Sequence, residues 1–173
     1  MTDRQNNLPK GWIWTKIGDL GTVTSGGTPS TKNVKYFGGK IAWITPADLS
    51  GYSNKYISKG RKSLTQVGLQ NSSAKLLPKG SVLFSSRAPV GYVVIAANEI
   101  CTNQGFKNLV PSKEISNEFI YYYLKSAKRL AESYASGTTF LELSGTKFAQ
   151  LQIPLAPFNE QHRIVEKIEE LFR

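Results

Sequence analysis

Residues 78–97 read Pro78-Lys79-Gly80-Ser81-Val82-Leu83-Phe84-Ser85-Ser86-Arg87-Ala88-Pro89-Val90-Gly91-Tyr92-Val93-Val94-Ile95-Ala96-Ala97. The turn Pro78-Lys79-Gly80 opens a strand over 81–86. A second strand, 91–97, carries the β-branched residues that suit a pleated surface, and Arg87 falls on the turn between the two. A further strand is predicted over 106–110, closed by Pro111. Upstream, Tyr36-Phe37-Gly38-Gly39-Lys40 reads as a turn into a strand over 41–45, which Pro46-Ala47-Asp48 ends. Trp12, Trp14, Ile17 and Leu20 begin with an alternating period and finish with a helical one. That pattern predicts a short strand followed by a helical turn or a second strand. Ser25-Gly26-Gly27-Thr28-Pro29-Ser30 is a loop by composition.

From Ser116 the period changes. Ser116 is a candidate N-cap, and Glu118 suits the positive helix start. Phe119, Ile120, Tyr123, Leu124, Ala127, Leu130 and Ala131 recur at three- and four-residue spacing, which predicts one amphipathic helix. A last helix is predicted after Pro154 and Pro157, with Asn159 as its cap and Glu160 in its first turn. Ile164, Val165, Ile168, Leu171 and Phe172 form an apolar stripe on it. Val165, Ile168 and Phe172 have the spacing of a coiled-coil seam, so the stripe is a candidate partner surface. A helix of about 15 residues is marginal alone, so it either packs on its own domain or begins something longer.

The chain has 173 residues, enough for one ordinary domain, and a net charge of +10. That charge is unevenly placed. Residues 1–113 hold 15 Lys+Arg and 4 Asp+Glu, whereas residues 114–173 hold 7 and 8. A basic body of this kind suits a polyanion, either nucleic acid or an anionic membrane surface. No apolar run is long enough to cross a bilayer, and the N-terminus has no signal-peptide core. Cys101 is the sole cysteine, which excludes an internal disulfide and a cysteine-based zinc site. These features favour the cytoplasm and no membrane.

Catalytic signatures are missing. There is no phosphate-binding Gly-x-x-x-x-Gly-Lys-Ser/Thr loop, no Asn/Asp-Pro-Pro-aromatic run of amino-methyltransferases and no His-Glu-x-x-His helix. The single histidine, His162, sits in the first turn of the last helix, far in sequence from Cys101. Asp48 and Glu99 are a weak metal pair, and Asp48 reads better as a turn cap after Pro46.

DNA binding asks for cations, polar readers and a scaffold. Residues 50–75 are the most polar stretch, with Lys55, Lys59, Arg61, Lys62 and Lys75, and with Tyr52 and Tyr56 interleaved. Lys32, Lys35, Lys40 and Arg87 add charge. Ser53, Asn54, Gln66, Gln70, Asn71, Asn103 and Gln104 add donors and acceptors of the kind that read base edges. The three tryptophans read as core.

Several strings in order resemble the target-recognition domain of type I restriction–modification specificity subunits. They are Leu8-Pro9-x-Gly11-Trp12-x-Trp14, the loop 25–30, Tyr36-Phe37-Gly38-Gly39-x-Ile41-x-Trp43-Ile44 with Asp48-Leu49, and Ala74-Lys75-Leu76-Leu77-Pro78-Lys79-Gly80. Thr102-Asn103-Gln104-Gly105-Phe106, Gly137-Thr138-Thr139, Ile153-Pro154-Leu155-Ala156-Pro157 and Glu160-Gln161-x-Arg163-Ile164-Val165 complete the series.

The resemblance implies an α+β fold: a twisted, mostly antiparallel β-rich recognition domain with packed helices over 1–156. A coiled-coil-type spacer helix begins at 157–173. It implies sequence-specific recognition of duplex DNA by a non-catalytic subunit that directs adenine methylation and cleavage by partners. Those partners are modification subunits, a restriction subunit and a second recognition half, in tandem or as a homodimer. No cofactor is expected on this chain; S-adenosylmethionine, ATP and Mg belong on the partner subunits. DNA contact is expected from Thr28, Ser30, Thr31, Lys32, Lys55, Lys59, Arg61, Lys62, Lys75, Arg87, Thr138 and Thr139, with the 50–75 segment entering the major groove. Two alternatives remain open: a recognition-domain fragment of a fused restriction–methyltransferase, or an assembly module that no longer reads DNA.

Overall fold

A computed structural model of the chain describes residues 8–137 and 141–172. In chain order the strands are β1 (Ile13–Lys16), β2 (Gly21–Ser25), β3 (Phe37–Ile44), β4 (Tyr56–Ile57), β5 (Lys62–Leu64), β6 (Val82–Ser86), β7 (Val90–Ala96), β8 (Cys101–Thr102), β9 (Phe106–Pro111) and β10 (Gln152–Leu155). The helices are α1 (Gln66–Gln70), α2 (Asn117–Ser126), α3 (Lys128–Tyr134), α4 (Gly145–Ala149) and α5 (Phe158–Leu171).

The central sheet has the order β2-β9-β6-β7-β4. β6 pairs antiparallel with both β7 and β9, so the two strands of residues 78–97 lie together at its middle. Their side chains alternate between two cores, as strand geometry requires. On one face Val82, Phe84, Val93, Ile95 and Leu109 meet Phe119, Ile120 and Leu124 of α2, Phe148 of α4 and Val165 of α5. The Phe84 and Phe148 rings stack there, 5.3 Å apart. On the other face Leu83, Val94, Ala96 and Phe106 meet Ile44, Leu49, Ile57, Leu77 and Ile100. A three-stranded sheet, β5-β3-β8, lies on that second side. Its own small core gathers Trp43, Leu64, Ala74 and Cys101. β1 and β10 pair antiparallel as a separate ribbon, and among the described residues only β4 with β7 and β3 with β8 run parallel. The fold is therefore α+β and mostly antiparallel, with one sheet buried between helices and a second sheet.

Two helix expectations change. Ser116 caps α2 as read, its Oγ accepting from Phe119 N at 3.2 Å. The run from Ser116 is not one helix, however. It bends at Ala127 (φ −86, ψ 10), and α3 then lays Ala131 against the core. In α5 the cap position is Pro157, which accepts from Glu160 N and Gln161 N, and Asn159 lies inside the helix.

The last helix also belongs to the body more than the division at 156/157 implies. Val165 is 4% exposed and Gln161 2%. The Gln161 side chain joins α5 to α2 and to the end of β10: Oε1 accepts from Ser116 N at 2.9 Å, and Nε2 donates to Ala156 O at 2.9 Å. Replacing Gln161 with Leu keeps the volume but leaves two buried backbone groups unpaired, at about 1–3 kcal/mol each. The urea midpoint of Gln161→Leu is expected to fall correspondingly. A midpoint equal to that of the parent would show that α5 is only an appendage.

Candidate nucleic-acid interface

The three-stranded sheet and its loops gather the free positive charge. Residues 26–75 hold eight Lys+Arg and one acid, Asp48. Pairing of β5 with β3 places Lys62 opposite Trp43, and Thr65 ties the following turn to the preceding loop through Oγ1 to Lys35 O (2.8 Å) and N to Tyr36 O (3.0 Å). Positions thirty residues apart in sequence thereby share one depression of about 400 Å³, lined by Thr31, Val34, Phe37, Gly38, Arg61, Lys62 and Ser63. Lys62 Nζ lies 5.9 Å from the Phe37 ring centroid, close enough for the ring face to help hold the cation.

The glycine-rich loop is fixed beside this depression. Gly27 O accepts from Trp43 Nε1 at 3.0 Å, and Gly27 N donates to Thr102 O at 2.9 Å. A Cβ on Gly26 would stand 2.0 Å from Asn103 O, and one on Gly27 2.4 Å from Ala74 N. Only glycine lets the loop press onto both neighbours. The same packing brings residues 73–75 and the turn 103–105 alongside.

Each sequence-predicted residue can now be placed. Ser30, Thr31, Lys32, Lys59, Arg61, Lys62 and Lys75 are exposed around the small sheet and its loops. Thr28 is half-buried and donates its hydroxyl to Gln104 Oε1. Arg61 donates Nε to Asp48 Oδ1 at 2.9 Å, yet its side chain is 72% exposed, so the outer guanidinium nitrogens face solvent. Arg87 lies away from the small sheet, 3.5 Å from Glu142. Thr138 and Thr139 fall outside the described residues.

Lys55 does not join the exposed set. The 50–75 stretch is divided between the two sheets: β4 adds to the central one and β5 to the small one. The Lys55 carbonyl therefore faces β7, where it accepts from Ile95 N. Its ammonium is taken up by Glu118 of α2 and Glu169 of α5. Burial opposes that charge, but the bonds to Glu118 and Glu169 outweigh it and raise the Lys55 pKa. Burial and Glu118, which accepts from Tyr56 Oη, push the Tyr56 hydroxyl up to about 12. Lys55 is a tie between strand and helices, and sequence reading missed it because both carboxylates lie more than sixty positions away.

The partner stripe is likewise divided. Val165 is buried and Ile164 packs against the same core. Ile168 edges a groove with Trp12, Tyr122 and Pro154, while Leu171 and Phe172 are 72% and 85% exposed. Among the described residues no group of His, Cys, Asp and Glu is placed to hold a metal, and no helix is long and apolar enough to cross a membrane.

Residues 9–173 match the family model for the type I restriction modification DNA specificity domain. The chain is 43% identical over 160 residues to the type I restriction enzyme MjaIX specificity subunit of Methanocaldococcus jannaschii, covering 91% of this chain and 37% of that protein. It is 31% identical over 163 residues to the HindI specificity subunit of Haemophilus influenzae, covering 92% and 35%. A solved structure from work on assembly and conformational transition of the type I R-M system superposes with a TM-score of 0.77 at 25% identity, over 98% of this chain and 40% of that one. The HsdS subunit of Thermoanaerobacter tengcongensis superposes at 0.73 and 23% identity, over 98% and 39%, and supports the fold alone. The chain thus spans little more than a third of these curated relatives.

Asp48 holds the loop that presents Arg61. Its carboxylate accepts from Thr45 N (2.8 Å), Thr45 Oγ1 (2.9 Å) and Arg61 N (3.1 Å), and its side chain is 7% exposed. Burial works against the charge, but these hydrogen bonds win and hold the carboxyl below its ordinary value of 3.8. A lowered carboxyl stabilises the fold above its unfolded pKa and loses that contribution as pH falls through the folded one. Asp48→Ala is expected to cost about 1.5–3 kcal/mol at pH 7, as for lost bonds to a charged group. In urea titrations its deficit against the parent should shrink as pH drops below 3.8. A deficit constant down to pH 2 would assign the effect to packing instead.

Proposed function

Since the chain belongs to the family of type I restriction modification DNA specificity domains, we propose that it reads a half-site in duplex DNA for a type I restriction–modification complex. The observation that carries this reading is the charge layout. Lys32, Lys35, Lys40, Lys59, Arg61, Lys62 and Lys75 are exposed on the small sheet and its loops, and the one acid among residues 26–75 is used internally by Thr45 and Arg61. Among residues 26–75 no carboxylate is left over to compete with phosphates for those cations. Arg61 keeps its outer nitrogens free for a guanine edge, a bidentate contact suited to the major groove. The depression holding Thr31, Arg61 and Lys62 is where a base or phosphate enters.

The chain contributes recognition only. Methyl transfer and cleavage fall to modification and restriction subunits, which carry S-adenosylmethionine, ATP and Mg. The solvent-facing end of α5, with Ile168, Leu171 and Phe172, meets the helix of a second recognition half, in tandem or from a second copy. The work is done in the cytoplasm.

Binding to DNA should weaken with salt, by about 0.9 log units per log unit of salt for each phosphate neutralised. The double variant Arg61→Ala/Lys62→Ala should stay folded, melting somewhat below the parent because Arg61 Nε no longer bonds Asp48, and should lose about tenfold or more in affinity, with a salt slope shallower by about one to two. Fluorescence anisotropy across a salt series measures both. A parent curve flat in salt, or a double variant with parental affinity, would refute this face as the interface.

A further inference from the structure

β9 turns a lysine inward. Lys107 alternates with Leu109 on the helix-facing side of the central sheet, and its side chain is 8% exposed. An ammonium has three donors to satisfy. Lys107 Nζ reaches Gln104 O at 3.4 Å, and the carboxylate paired with it, Glu142 Oε1, stands at 3.9 Å. Charge-assisted N–H···O bonds close to about 2.7–2.9 Å when they form fully. Burial, helped by the nearby Arg87 cation, pushes the Lys107 pKa down against the pull of Glu142.

Glu142 is shared and loosely held. Its Oε1 faces Lys107 and its Oε2 faces Arg87 Nη1 at 3.5 Å, while the side chain is 42% exposed. The seam around them is polar. Ser25 pairs with Lys107 across β2 and β9, and the Cβ position of Gly145 is 3.6 Å from Ser25 Oγ and 4.0 Å from Lys107 Cδ. Ser86, whose N donates to Gly105 O and whose O accepts from Leu143 N, has a buried Oγ with no hydrogen-bond partner. Elsewhere in the chain a half-buried lysine is fully used: Lys55 closes onto two carboxylates at hydrogen-bonding distance. Lys107 and Arg87 share one carboxylate and grip it at neither end.

We propose that Lys107 and Arg87 form a subsite for a backbone phosphate of the bound DNA, with Glu142 as its displaceable cover. The two oxygens of Glu142 already divide between the two cations as the non-bridging oxygens of a phosphodiester would. The subsite adjoins the interface, because Gln104 accepts from Lys107 through its carbonyl and from Thr28 of the glycine-rich loop through its side chain. DNA arriving at that loop exchanges Glu142, which swings into solvent, for a phosphate. This inference rests on the DNA-binding reading above.

The test compares the parent with Lys107→Met, Arg87→Gln and Glu142→Gln on short mixed-sequence duplex DNA, by anisotropy across salt, with thermal melting as the fold control. Glu142→Gln should bind about threefold tighter, the scale of a partly exposed ion pair no longer competing. Arg87→Gln and Lys107→Met should each bind about fivefold weaker, with a salt slope lower by about 0.9. If Lys107→Met does not fold, the other two variants decide. A parent that binds with a salt slope while Glu142→Gln and Arg87→Gln match it would overturn the subsite alone. A parent without measurable binding would overturn both readings.

Discussion

Covering the central sheet on both faces is the constraint from which the rest of the structure follows. In β6 and β7 successive side chains enter different cores, so neither strand can show a polar face to water. The helices must close one side, and β3, with the segments flanking β4 and β8, must close the other. Each buried Phe, Leu, Val or Ile adds roughly 1.5–3 kcal/mol, enough to carry the polar loops that hang from the layers. The small sheet is thus anchored by its inner face, which frees its edges and loops to present charge.

That arrangement also sorts the lysines and arginines. Those on the outer sheet and its loops stay in water. Those whose strands run into the central sheet cannot: Lys55, beside β4, and Lys107, in β9, are drawn among helices and must find partners there. They find them unequally. Lys55 is saturated by Glu118 and Glu169 and fastens three elements together. Lys107 is left with long contacts in a polar seam at the interface edge. A buried charge held only by long contacts is costly, and the phosphate proposed above is the kind of group that would hold it more closely.

Much of this architecture is legible in the sequence. The β-branched runs, the Pro-Lys-Gly turn and the Ser116 cap mark elements that local chemistry decides, and these stand where the residues put them. The ordered strings across the chain identify the family. What local chemistry does not decide is less visible. The bend at Ala127 has no glycine or proline to announce it and serves packing of Ala131 on the sheet. The polar stretch 50–75 looks uniform in composition, yet two short strands assign its halves to different sheets. Lys107 did leave a trace, since a period of two places it with Leu109 on the inward face, but its counter-ion Glu142 comes thirty-five positions later.

The last helix shows how one element can serve two surfaces. Its first turns are spent on the body: Gln161 pairs two backbone groups of its neighbours, and Val165 fills the core. Its two ends leave apolar side chains in solvent, Phe158 at the start and, more fully, Leu171 and Phe172 at the finish. Glu169, on the same helix, reaches back to Lys55 beside β4. The direction in which α5 leaves the body is therefore set by contacts to both layers of the fold, not by the helix alone. Any partner seated on its free end inherits that direction. If that end meets a second recognition half, as proposed above, the angle between the halves would be fixed by the buried and ion-paired contacts at the root of the helix.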